Sequence, residues 1–587
     1  MVTQNQTEIV LDIEANGFNP SKIHCVSVMK TGWENPVLYT DSVDFGKFLN
    51  ENVGAVVYAH NGVCYDFPIL ARLWNIDWYK FVLRDTLVLS RLANPSRSGG
   101  HSLESWGEHL GFAKGEYEGS WDTYNEAMGE YCLRDTEVLW RAVAVLKKEL
   151  GPVINSYAVE LEQQVAQIIR QQIDNGWQLD ERKCYELLAE LRDAKDEAEA
   201  EVHERFRPIC TKVKEIRPKF NKDGAMSVVG LKFFGENPTR MVGGVFTRVD
   251  FPEFNLGSRQ QIGTYLQRFG WVPRKFTETG QPVVAEEELE QVDIPEAQII
   301  ARYLMLEKRA AMVSSWLDNV DDGGRVHGYV NPIGAVTGRM THSAPNVAQV
   351  TANDKPYGAE LRDCWTVRPG YKLVGCDADG LELRMLAHYM NDEAYIRAVC
   401  EGDKDAGTDA HSINQRAAGL PTRDSAKTFI YAYLYGAGDE KIGSIVGGSR
   451  RAGKELKAKF LRRTPALSGL KDRVAKAARR GWLQGLDGRR IIVRSEHAAL
   501  NTLLQGAGAV IMKQALLLLD TLATAAGLDY MFVGNIHDEF QAEVREDHAE
   551  EFARLAERAI AEAGKPFNLR CPLSGSATIG NTWKETH

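Results

Sequence analysis

Three apolar segments of this chain run directly into acidic residues. "EIVLDIE" contains Asp12 and Glu14, "YKLVGCDADG" contains Asp377, and "YMFVGNIHDEF" contains Asp538. The first two segments are predicted strands, and the third predicts a hairpin with its acids at the bend. Strand-like and helix-like patterns alternate along the chain, which is typical of α/β architecture. We therefore predict a multidomain α/β fold.

The chain is too long for one ordinary core. Its 587 residues predict three or four domains or subdomains. The hydrophobic share of 44% and the charged share of 26% are typical of a soluble globular protein. We expect neither a membrane span nor a signal peptide. Nine scattered cysteines without a C-x-x-C pair favour a reducing compartment and no structural zinc.

The charge is distributed unevenly. The formal net charge is −10, but residues 441–494 contain 16 Lys and Arg against three acids, a local balance of +13. "RRAGKELKAKFLRR" and "KDRVAKAARR" are the densest parts. One such run is usually a solvated helical face, whereas two in succession indicate a track for a polyanion.

Four acids in the first 150 residues form the first candidate site. Asp12 and Glu14 leave the same face of a strand, roughly 6–7 Å apart at about 3.3 Å of rise per residue. Asp66 follows, and Asp135 lies one helical turn after Tyr131. Each acid alone would be a surface carboxylate or a helix cap. Because two carboxylates about 4 Å apart repel by about 4 kcal/mol at an effective dielectric constant of 20, four together indicate divalent cations.

The segment "RDSAKTFIYAYLYGAG" forms the centre of the second candidate site. Arg423, Lys427, Tyr431 and Tyr435 recur every four residues and so share one face of a predicted helix, which a Gly-Ala-Gly run ends. Such a face fits a partner that is both anionic and flat. The cations suit triphosphate oxygens, and the rings suit a sugar or a base.

The N-terminal motifs resemble those of DEDDy exonucleases. D-x-E, N-x-x-x-x-D and Y-x-x-x-D occur in that order over roughly the first 150 residues. The resemblance implies an RNase H-like domain with 3′→5′ exonuclease activity. It also implies that Asp12, Glu14, Asp66 and Asp135 hold two metal ions, and that Tyr131 orients the attacking water.

The C-terminal half resembles family A, Pol I-like DNA polymerases, in particular the replicative polymerases of T7-like phages. "DADGLELR", "RDSAKTFIYAYLYGAGDEKIG" and "HDE" are similar to motifs A, B and C of that family. "NPIGAVTGRMTHSAPNVAQV", "LNTLLQGAGAVIMKQ" and the lysine of "LMLEKRAAM" fit the same family. The resemblance implies a right-hand polymerase domain that extends a primer 3′-hydroxyl on a DNA template.

The resemblance also implies roles for individual residues. Asp377, Asp538 and the backbone carbonyl of Ala378 would hold two Mg²⁺ ions, for which Mn²⁺ can substitute. The implied contacts to the incoming nucleotide are His411, Arg423 and Lys427 at the triphosphate, Glu382 and Tyr431 at the sugar, and Tyr435 near the templating base. Lys427 would also protonate the pyrophosphate. The implied DNA contacts are Arg339, Gln349, Asn501, Gln505, His537 and Lys308.

The same resemblance predicts domains and partners. The predicted domains are the exonuclease at 1–150, thumb and connecting helices at 151–330, palm at 331–404, fingers at 405–494 and the second part of the palm at 495–587. The predicted partners are primer-template DNA, dNTPs and a replicative helicase-primase, in the cytoplasm of a phage-infected bacterium. Residues 206–257 predict an irregular insertion, shorter and differently composed than the loop with which the best-known relative binds thioredoxin. It could bind a thioredoxin-like factor, hold another processivity factor or simply contact duplex DNA, and these alternatives stay open.

Two other functions stay open at this point. A single-subunit RNA polymerase shares the metal aspartates, but Glu382 and the N-terminal acids oppose it. A non-catalytic nucleic-acid scaffold is opposed by intact acids at every metal position. Asp379 departs from the family pattern, where a small polar residue is expected. Without the resemblance, Asn501 and Gln505 would be polar positions of an amphipathic helix, and Lys308 a solvated lysine.

Overall fold

The computed structural model describes residues 6–208, 210–217, 220–224 and 245–587. The chain divides into two compact units, one of Met1–Asp180 with Asn319–His587 and one of Glu181–Asp318. The second unit is narrower than the predicted thumb range of 151–330, and the predicted domain boundaries stay predictions.

A five-stranded mixed sheet forms the N-terminal part of the first unit, with the order β3-β2-β1-β4-β5. Its strands are β1 Glu8–Ala15, β2 Ile23–Lys30, β3 Val37–Tyr39, β4 Val56–Ala59 and β5 Val82–Asp85. β1 is antiparallel to β2 and parallel to β4. Because β1 and β4 are interior strands with almost every residue buried, they read as nearly continuous apolar runs.

Helices cover this sheet and lead out of it. They are α1 Ser42–Asn50, α2 Asp66–Trp74, α3 Thr86–Ala93, α4 Leu103–Leu110, α5 Glu126–Leu150 and α6 Tyr157–Asn175, and a short strand β6 Trp177–Leu179 follows. α5 packs on β1 and β2. Its start is fixed by Asn125, whose side chain accepts the N–H of Met128 at 2.9 Å. This packing brings the first turns of α5 to the end of β1.

The second unit contains a pair of long helices and a pair of antiparallel strands. Its elements are α7 Glu181–Arg205, β7 Thr211–Ile216, β8 Phe246–Asp250, α8 Arg259–Arg268, α9 Glu286–Leu289 and α10 Pro295–Leu317. α7 packs along α10, and β7 pairs antiparallel with β8. Part of the predicted insertion, residues 209, 218–219 and 225–244, lies outside the described residues. Its described flanks contain the antiparallel strand pair β7–β8, with a register shift between Lys212 and Lys214, where the sequence predicted irregular structure.

The C-terminal part of the first unit is built on a four-stranded antiparallel sheet with the order β16-β17-β13-β18. The strands of this part are β9 Arg325–Val326, β10 Tyr329–Asn331, β11 Thr341–Ser343, β12 Trp365–Thr366, β13 Tyr371–Ala378, β14 Trp482–Gln484, β15 Arg490–Ile492, β16 Tyr530–Ile536, β17 Glu539–Arg545 and β18 Gly575–Gly580. β16 and β17 form the predicted hairpin with the acids at its bend. The predicted α/β class is confirmed.

The described residues of this C-terminal part also contain ten α-helices. They are α11 Gly358–Asp363, α12 Leu381–Met390, α13 Glu393–Cys400, α14 Ala410–Ala418, α15 Arg423–Leu434, α16 Asp439–Ile445, α17 Arg450–Arg463, α18 Pro465–Ala478, α19 Ala499–Ala525 and α20 Ala549–Glu562. Within the described residues, Glu496–Ala525 is long and apolar enough to cross a membrane, but 78% of its most apolar window is buried inside the protein. It packs in the apolar core with α12 and α20, as expected for a core helix.

Helix α15 forms where the sequence predicted it. Thr422 caps its start in a reciprocal capping box with Ser425. The helix ends at Leu434, and Gly436 follows with a φ of +74°, in the left-handed region that favours glycine. Phe429 and Ile430 are fully buried in the core. The polar face on the opposite side of α15 therefore points away from the core.

Candidate active sites

Two strand ends bring the C-terminal acids together. In the register of β13 and β17, Asp377 lies opposite Glu539. The carbonyl oxygen of Asp538, in the bend before β17, accepts the N–H of Ala378 at 3.0 Å. Asp377 and Asp538 therefore occupy neighbouring positions at one end of the sheet.

Ionisation of Asp377 is unfavourable without a nearby cation. Burial, followed by the negative charges of Asp538 and Glu539, raises the pKa of Asp377 to about 7. The Glu539 carboxylate already has other partners. It accepts the Trp583 indole N–H at 2.9 Å and lies 2.7 Å from Nδ1 of His587. Asp377 and Asp538 are thus the acids that remain for an ion.

The polar face of α15 lies beside these acids. The rings of Tyr431 and Tyr435 are stacked with centroids 6.5 Å apart, and the ring of His411 lies 6.0 Å from that of Tyr431. The acids are close enough that the charge of Asp538 contributes to raising the pKa of Tyr431, after burial and Glu382. Lys427 is exposed on the same face. The structure therefore brings the predicted nucleotide-binding side chains together.

Arg423 has a partner that the sequence did not predict. Its guanidinium donates to Oδ2 of Asp409 at 2.6 and 3.0 Å. Burial acts to raise the pKa of Asp409, but hydrogen bonds from Arg423 and Ser412 lower it well below its usual range. Asp409 also caps α14, the helix that carries His411. In the sequence, Asp409 could have been predicted only as the N-cap of this helix.

Glu382 joins two other predicted residues. Its Oε1 accepts the Tyr435 hydroxyl at 2.8 Å and lies 3.3 Å from a terminal nitrogen of Arg339. Its Oε2 is buried and has no hydrogen-bond partner within the described part of the chain. The predicted sugar-side and base-side residues are therefore in direct contact.

The N-terminal acids line one cavity of about 460 Å³. The cavity contains every residue that the exonuclease motifs predicted, namely Asp12, Glu14, Asp66, Tyr131 and Asp135. Burial raises the pKa of Asp66 to about 7 and that of Asp135 to about 6. Burial, followed by the charge of Asp135, raises the pKa of Glu14 to about 9.

Two further residues contact these acids, and no sequence motif predicted either of them. Nζ of Lys114 lies 3.0 Å from Oδ2 of Asp135 and 4.9 Å from the ring centroid of Tyr131. Cys132, on α5, is fully buried and donates to the backbone carbonyl of Asp12 at 3.4 Å. Lys114 lies in the connection between α4 and α5, where no sequence pattern marked it.

The comparisons with known proteins decide the family. Residues 234–585 match the family model described as DNA polymerase family A. The chain is 35% identical to the DNA-directed DNA polymerase of Escherichia phage T7, over 99% of this chain and 100% of that protein. The chain belongs to DNA polymerase family A. It is a DNA-directed DNA polymerase, as the motifs predicted, so the RNA polymerase and scaffold alternatives are set aside.

Other relatives agree with this family A assignment. The DNA-directed DNA polymerase of Enterobacteria phage T3 is also 35% identical, over 99% of this chain and 100% of that protein. DNA polymerase I of Thermus aquaticus is 27% identical over 59% of this chain and 44% of its own length. The solved structure of the POL domain of Pol1 from M. smegmatis, in complex with DNA primer-template and dNTP, has a TM-score of 0.77 at 19% identity and covers 99% of this chain and 96% of that one. This last similarity shows the fold.

The remaining predicted DNA contacts of this family A polymerase are more dispersed. Arg339 and His537 line one small cavity of about 50 Å³, and His537 has a φ of +57° in the bend before β17. Asn501 and Gln505 lie one turn apart on α19 and are partly buried. The other two, Gln349 in the turn Val347–Gln349 and Lys308 on α10 of the second unit, are exposed.

The structure explains how the polymerase accommodates Asp379. Its two carboxylate oxygens accept the hydroxyls of Ser574 at 2.7 Å and Ser576 at 2.8 Å. Arg384 donates to the backbone carbonyl of Asp379 at 2.7 Å and to the Ser574 hydroxyl at 2.7 Å. The additional charge is therefore stabilised by groups at and next to β18.

The basic segment forms an exposed surface on α17 and α18. Its exposed side chains include Arg450, Arg451, Lys454, Arg462, Arg463, Lys471, Arg473, Lys476, Arg479 and Arg480. Among its ion pairs, Arg451 pairs with Glu455 at 2.9 Å on the same helix. A cationic surface of this extent is suited to phosphate contacts.

Proposed function

We propose that this chain is a phage-type replicative polymerase that extends a primer 3′-hydroxyl with dNTPs by two-metal phosphoryl transfer, and that it proofreads with a 3′→5′ exonuclease. The single observation that supports the first reaction best is the adjacency of Asp377 and Asp538 beside the face of α15 that carries Tyr431. That combination offers anionic ligands for cations and cationic and aromatic contacts for a nucleotide.

The donor set at the polymerase site fits divalent metal ions. The partly buried carboxyl of Asp377, whose pKa is raised to about 7 by burial and by the charge of Asp538, needs positive charge nearby in order to ionise. Asp377, Asp538 and the Ala378 carbonyl would hold the ions. Magnesium, or manganese in its place, supplies charge that stabilises the attacking and leaving oxygens of an in-line displacement.

His411 on α14 and the two cations Arg423 and Lys427 on α15 bind the triphosphate in this proposal. Lys427 is exposed and can reach an anionic oxygen, and it can also donate a proton to the departing pyrophosphate. Nδ1 of His411 is buried and has no hydrogen-bond partner among the described residues, which suits a phosphate oxygen. Asp409 pairs with Arg423, and both residues line a cavity of about 270 Å³ together with His411.

The sugar and the new base pair are read by neighbouring groups. Glu382, tied to Tyr435 and Arg339, would crowd a 2′-hydroxyl and select deoxyribose. Tyr431 would lie beside the 3′ position, where tyrosine permits incorporation of dideoxynucleotides. Arg339 would probe the minor groove, whose acceptors are similar in all correct pairs, and the other proposed DNA contacts are Gln349, Asn501, Gln505, His537 and Lys308.

The exonuclease proposal rests on the N-terminal cavity. Asp12, Glu14, Asp66 and Asp135 are carboxylates of the type that two-metal nucleases use, and Oδ1 of Asp135 is buried with no hydrogen-bond partner within the described residues. They would hold two ions, and Tyr131 would orient the attacking water. Phe18 is 99% exposed at the edge of this cavity, where it can stack on an unpaired base.

The proposed partners are primer-template DNA, dNTPs, a helicase-primase and a processivity factor, in the cytoplasm of a bacterial host. The decisive experiment is a primed-template assay with four dNTPs and magnesium, with and without added thioredoxin. We expect extension in both arms, with longer products in the thioredoxin arm if the factor is thioredoxin-like. Absence of extension under every condition would contradict the polymerase proposal.

A further inference from the structure

Two thiols from distant parts of the chain meet near the polymerase acids. Sγ of Cys400, at the end of α13, lies 3.5 Å from Sγ of Cys571, in the connection that leads to β18. A disulfide has its sulfurs about 2.05 Å apart, so the two atoms would need to approach each other by about 1.5 Å. Cys571 lies outside the helices and strands, so the connection that carries it can supply this movement.

The two thiols differ in their access to solvent. Cys400 is partly exposed, whereas Cys571 is 1% exposed. Burial, followed by the hydrogen bond with Cys400, raises the pKa of Cys571 to about 12. A small oxidant from solvent therefore reaches Cys400 first, and Cys571 is the protonated thiol behind it. This is the arrangement of a reactive cysteine with a resolving partner.

A cation lies beside the more exposed sulfur. Nη1 of Arg384 donates to Sγ of Cys400 at 3.5 Å and also to the backbone carbonyl of Pro572. Positive charge beside a sulfur stabilises the negative charge that the sulfur carries when it attacks an electrophile. The same guanidinium donates to the backbone carbonyl of Asp379 and to the Ser574 hydroxyl, each at 2.7 Å. Arg384 therefore connects the thiol pair to the residue that directly follows β13.

We propose that Cys400 and Cys571 form a modification site that takes a peroxide as its oxidant and closes to a disulfide. The sulfur of Cys400 attacks one oxygen of hydrogen peroxide and the O–O bond breaks. Cys400 becomes a sulfenic acid, and the thiol proton and the leaving hydroxide form water. The sulfur of Cys571 then attacks that of Cys400, the S–O bond breaks, and a second water leaves. Two thiols thus lose two electrons and two protons, and one peroxide is reduced to two waters. In a reducing compartment, cellular thiols would reverse the bond by exchange.

The disulfide would disturb groups that support the polymerase site, and this consequence rests on the proposed role of Asp377. The chain that follows Cys571 supplies two partners of Arg384. One of them, Ser574, also donates its hydroxyl to Oδ2 of Asp379 at 2.7 Å. At the other sulfur, the last turn of α13 forms part of the wall of the cavity of about 270 Å³ beside α15. Because closing the bond moves both segments, we expect slower nucleotide incorporation until a thiol reductant restores the pair.

The site is tested by peptide mapping of the full chain after treatment with hydrogen peroxide and alkylation of the remaining thiols. We expect a pair of peptides linked through Cys400 and Cys571 in the wild type, which dithiothreitol separates. In Cys571→Ser, Cys400 has no resolving thiol, so dimedone should label its sulfenic acid. Absence of the linked pair in the wild type would overturn the site. So would a dimedone label on Cys400 no stronger than that on the buried Cys364.

Cys25 and Cys132 provide a matched control pair within the same chain. Their thiols are also hydrogen-bonded to each other, but both residues are fully buried. We expect this pair to stay reduced at the peroxide dose that links Cys400 to Cys571, because the oxidant does not reach it. Equal oxidation of the two pairs would overturn the assignment of Cys400 as the reactive thiol. Thermal melting of each variant establishes that it is folded before treatment.

The effect on the reaction is tested by single-nucleotide incorporation before peroxide, after peroxide and after dithiothreitol, with each protein compared with its own untreated rate. We expect the wild type to lose roughly fivefold in rate, which corresponds to about 1 kcal/mol of transition-state stabilisation, and to recover with the reductant. Cys364→Ser should respond as the wild type does, and Cys400→Ser should show little reversible loss.

An equal reversible loss in Cys400→Ser, or an unchanged wild-type rate with the linked pair present, would overturn the inhibitory effect. If the untreated wild type incorporates no nucleotide, the polymerase proposal fails, and the peptide map still decides the thiol pair.

Discussion

Asp409 connects the cation at the start of α15 to the helix that carries His411. It caps α14 through the N–H groups of His411 and Ser412, and it pairs with Arg423 at 2.6 Å. Because the side chain of Asp409 is only 12% exposed, this pair is screened less by solvent than a surface ion pair. Asp409 therefore acts as a positioning residue for two triphosphate contacts.

Asp409→Asn should raise the KM for dNTPs roughly tenfold, because a charge-assisted hydrogen bond contributes about 1.5–3 kcal/mol. Affinity for primer-template DNA should change little. The measurement is single-nucleotide incorporation at varied dNTP concentration, beside a DNA-binding titration. Asp424→Asn, which changes an exposed acid in the first turn of α15, is the control. A KM equal to that of the wild type would contradict the positioning role.

The raised pKa of Asp377 predicts a pH dependence of stability in the metal-free protein. A carboxyl whose folded-state pKa lies near 7, above its unfolded value of 3.8, contributes stability that is present below about pH 4 and is lost as the pH rises through 7. Asp377→Asn should therefore melt higher than the wild type at pH 8 in EDTA. The difference in Tm between the variant and the wild type should shrink toward pH 5. An equal difference in Tm at pH 5 and pH 8 would contradict this prediction.

At the scale of elements, α6 joins the two halves of the first unit. Glu160 pairs with Arg84 on β5, and Gln163 accepts the N–H of Asp85 at 2.8 Å. On the other side, Glu162 is fully buried and accepts from Arg489 at 2.5 Å and from Lys513 of α19 at 2.7 Å. Helix α6 therefore links the N-terminal sheet to the core of the polymerase half through charged groups.

Removal of the buried acid Glu162 should destabilise the protein far more than removal of the half-exposed acid Glu160 on the same helix, α6. Glu162→Ala should destabilise the protein by about 3–5 kcal/mol, because it leaves the buried ammonium of Lys513 without its carboxylate partner. Glu160→Ala should cost about 1 kcal/mol or less, because the Glu160 carboxylate is 43% exposed and Arg84 also donates to the Leu83 carbonyl at 3.0 Å. Denaturant unfolding of both variants gives the comparison. Similar losses in the two variants would contradict the proposed role of α6.

Local sequence patterns predicted the elements that carry the sites. Apolar runs predicted β1, β13 and the β16–β17 hairpin, and four-residue spacing predicted α15, because these signals lie within a few residues of each other. The partners came from distant parts of the chain: Ser574 and Ser576 reach Asp379 across almost 200 residues. The charge of Lys114 and the thiol of Cys132 likewise have no local pattern that indicates a site.

At the scale of the whole molecule, the two acid groups lie in different sheets of the first unit. Asp12 and Glu14 lie on β1 of the N-terminal sheet, and Asp377 lies on β13 of the four-stranded sheet. We therefore expect chemistry at one group not to require the acids of the other.

Asp12→Ala with Glu14→Ala should abolish 3′ degradation and leave extension largely unchanged. The same preparation is assayed for both reactions, on single-stranded DNA without dNTPs and on a primed template with dNTPs. A double variant that loses extension as well would mean that the two sheets do not work independently.

Single-turnover incorporation by Asp377→Ala measures whether nucleotidyl transfer depends on the neighbouring carboxylates of Asp377 and Asp538. We expect this variant to bind primer-template DNA with wild-type affinity and to incorporate no measurable nucleotide in magnesium or manganese. Incorporation by Asp377→Ala at a rate near that of the wild type would show that transfer does not depend on this pair.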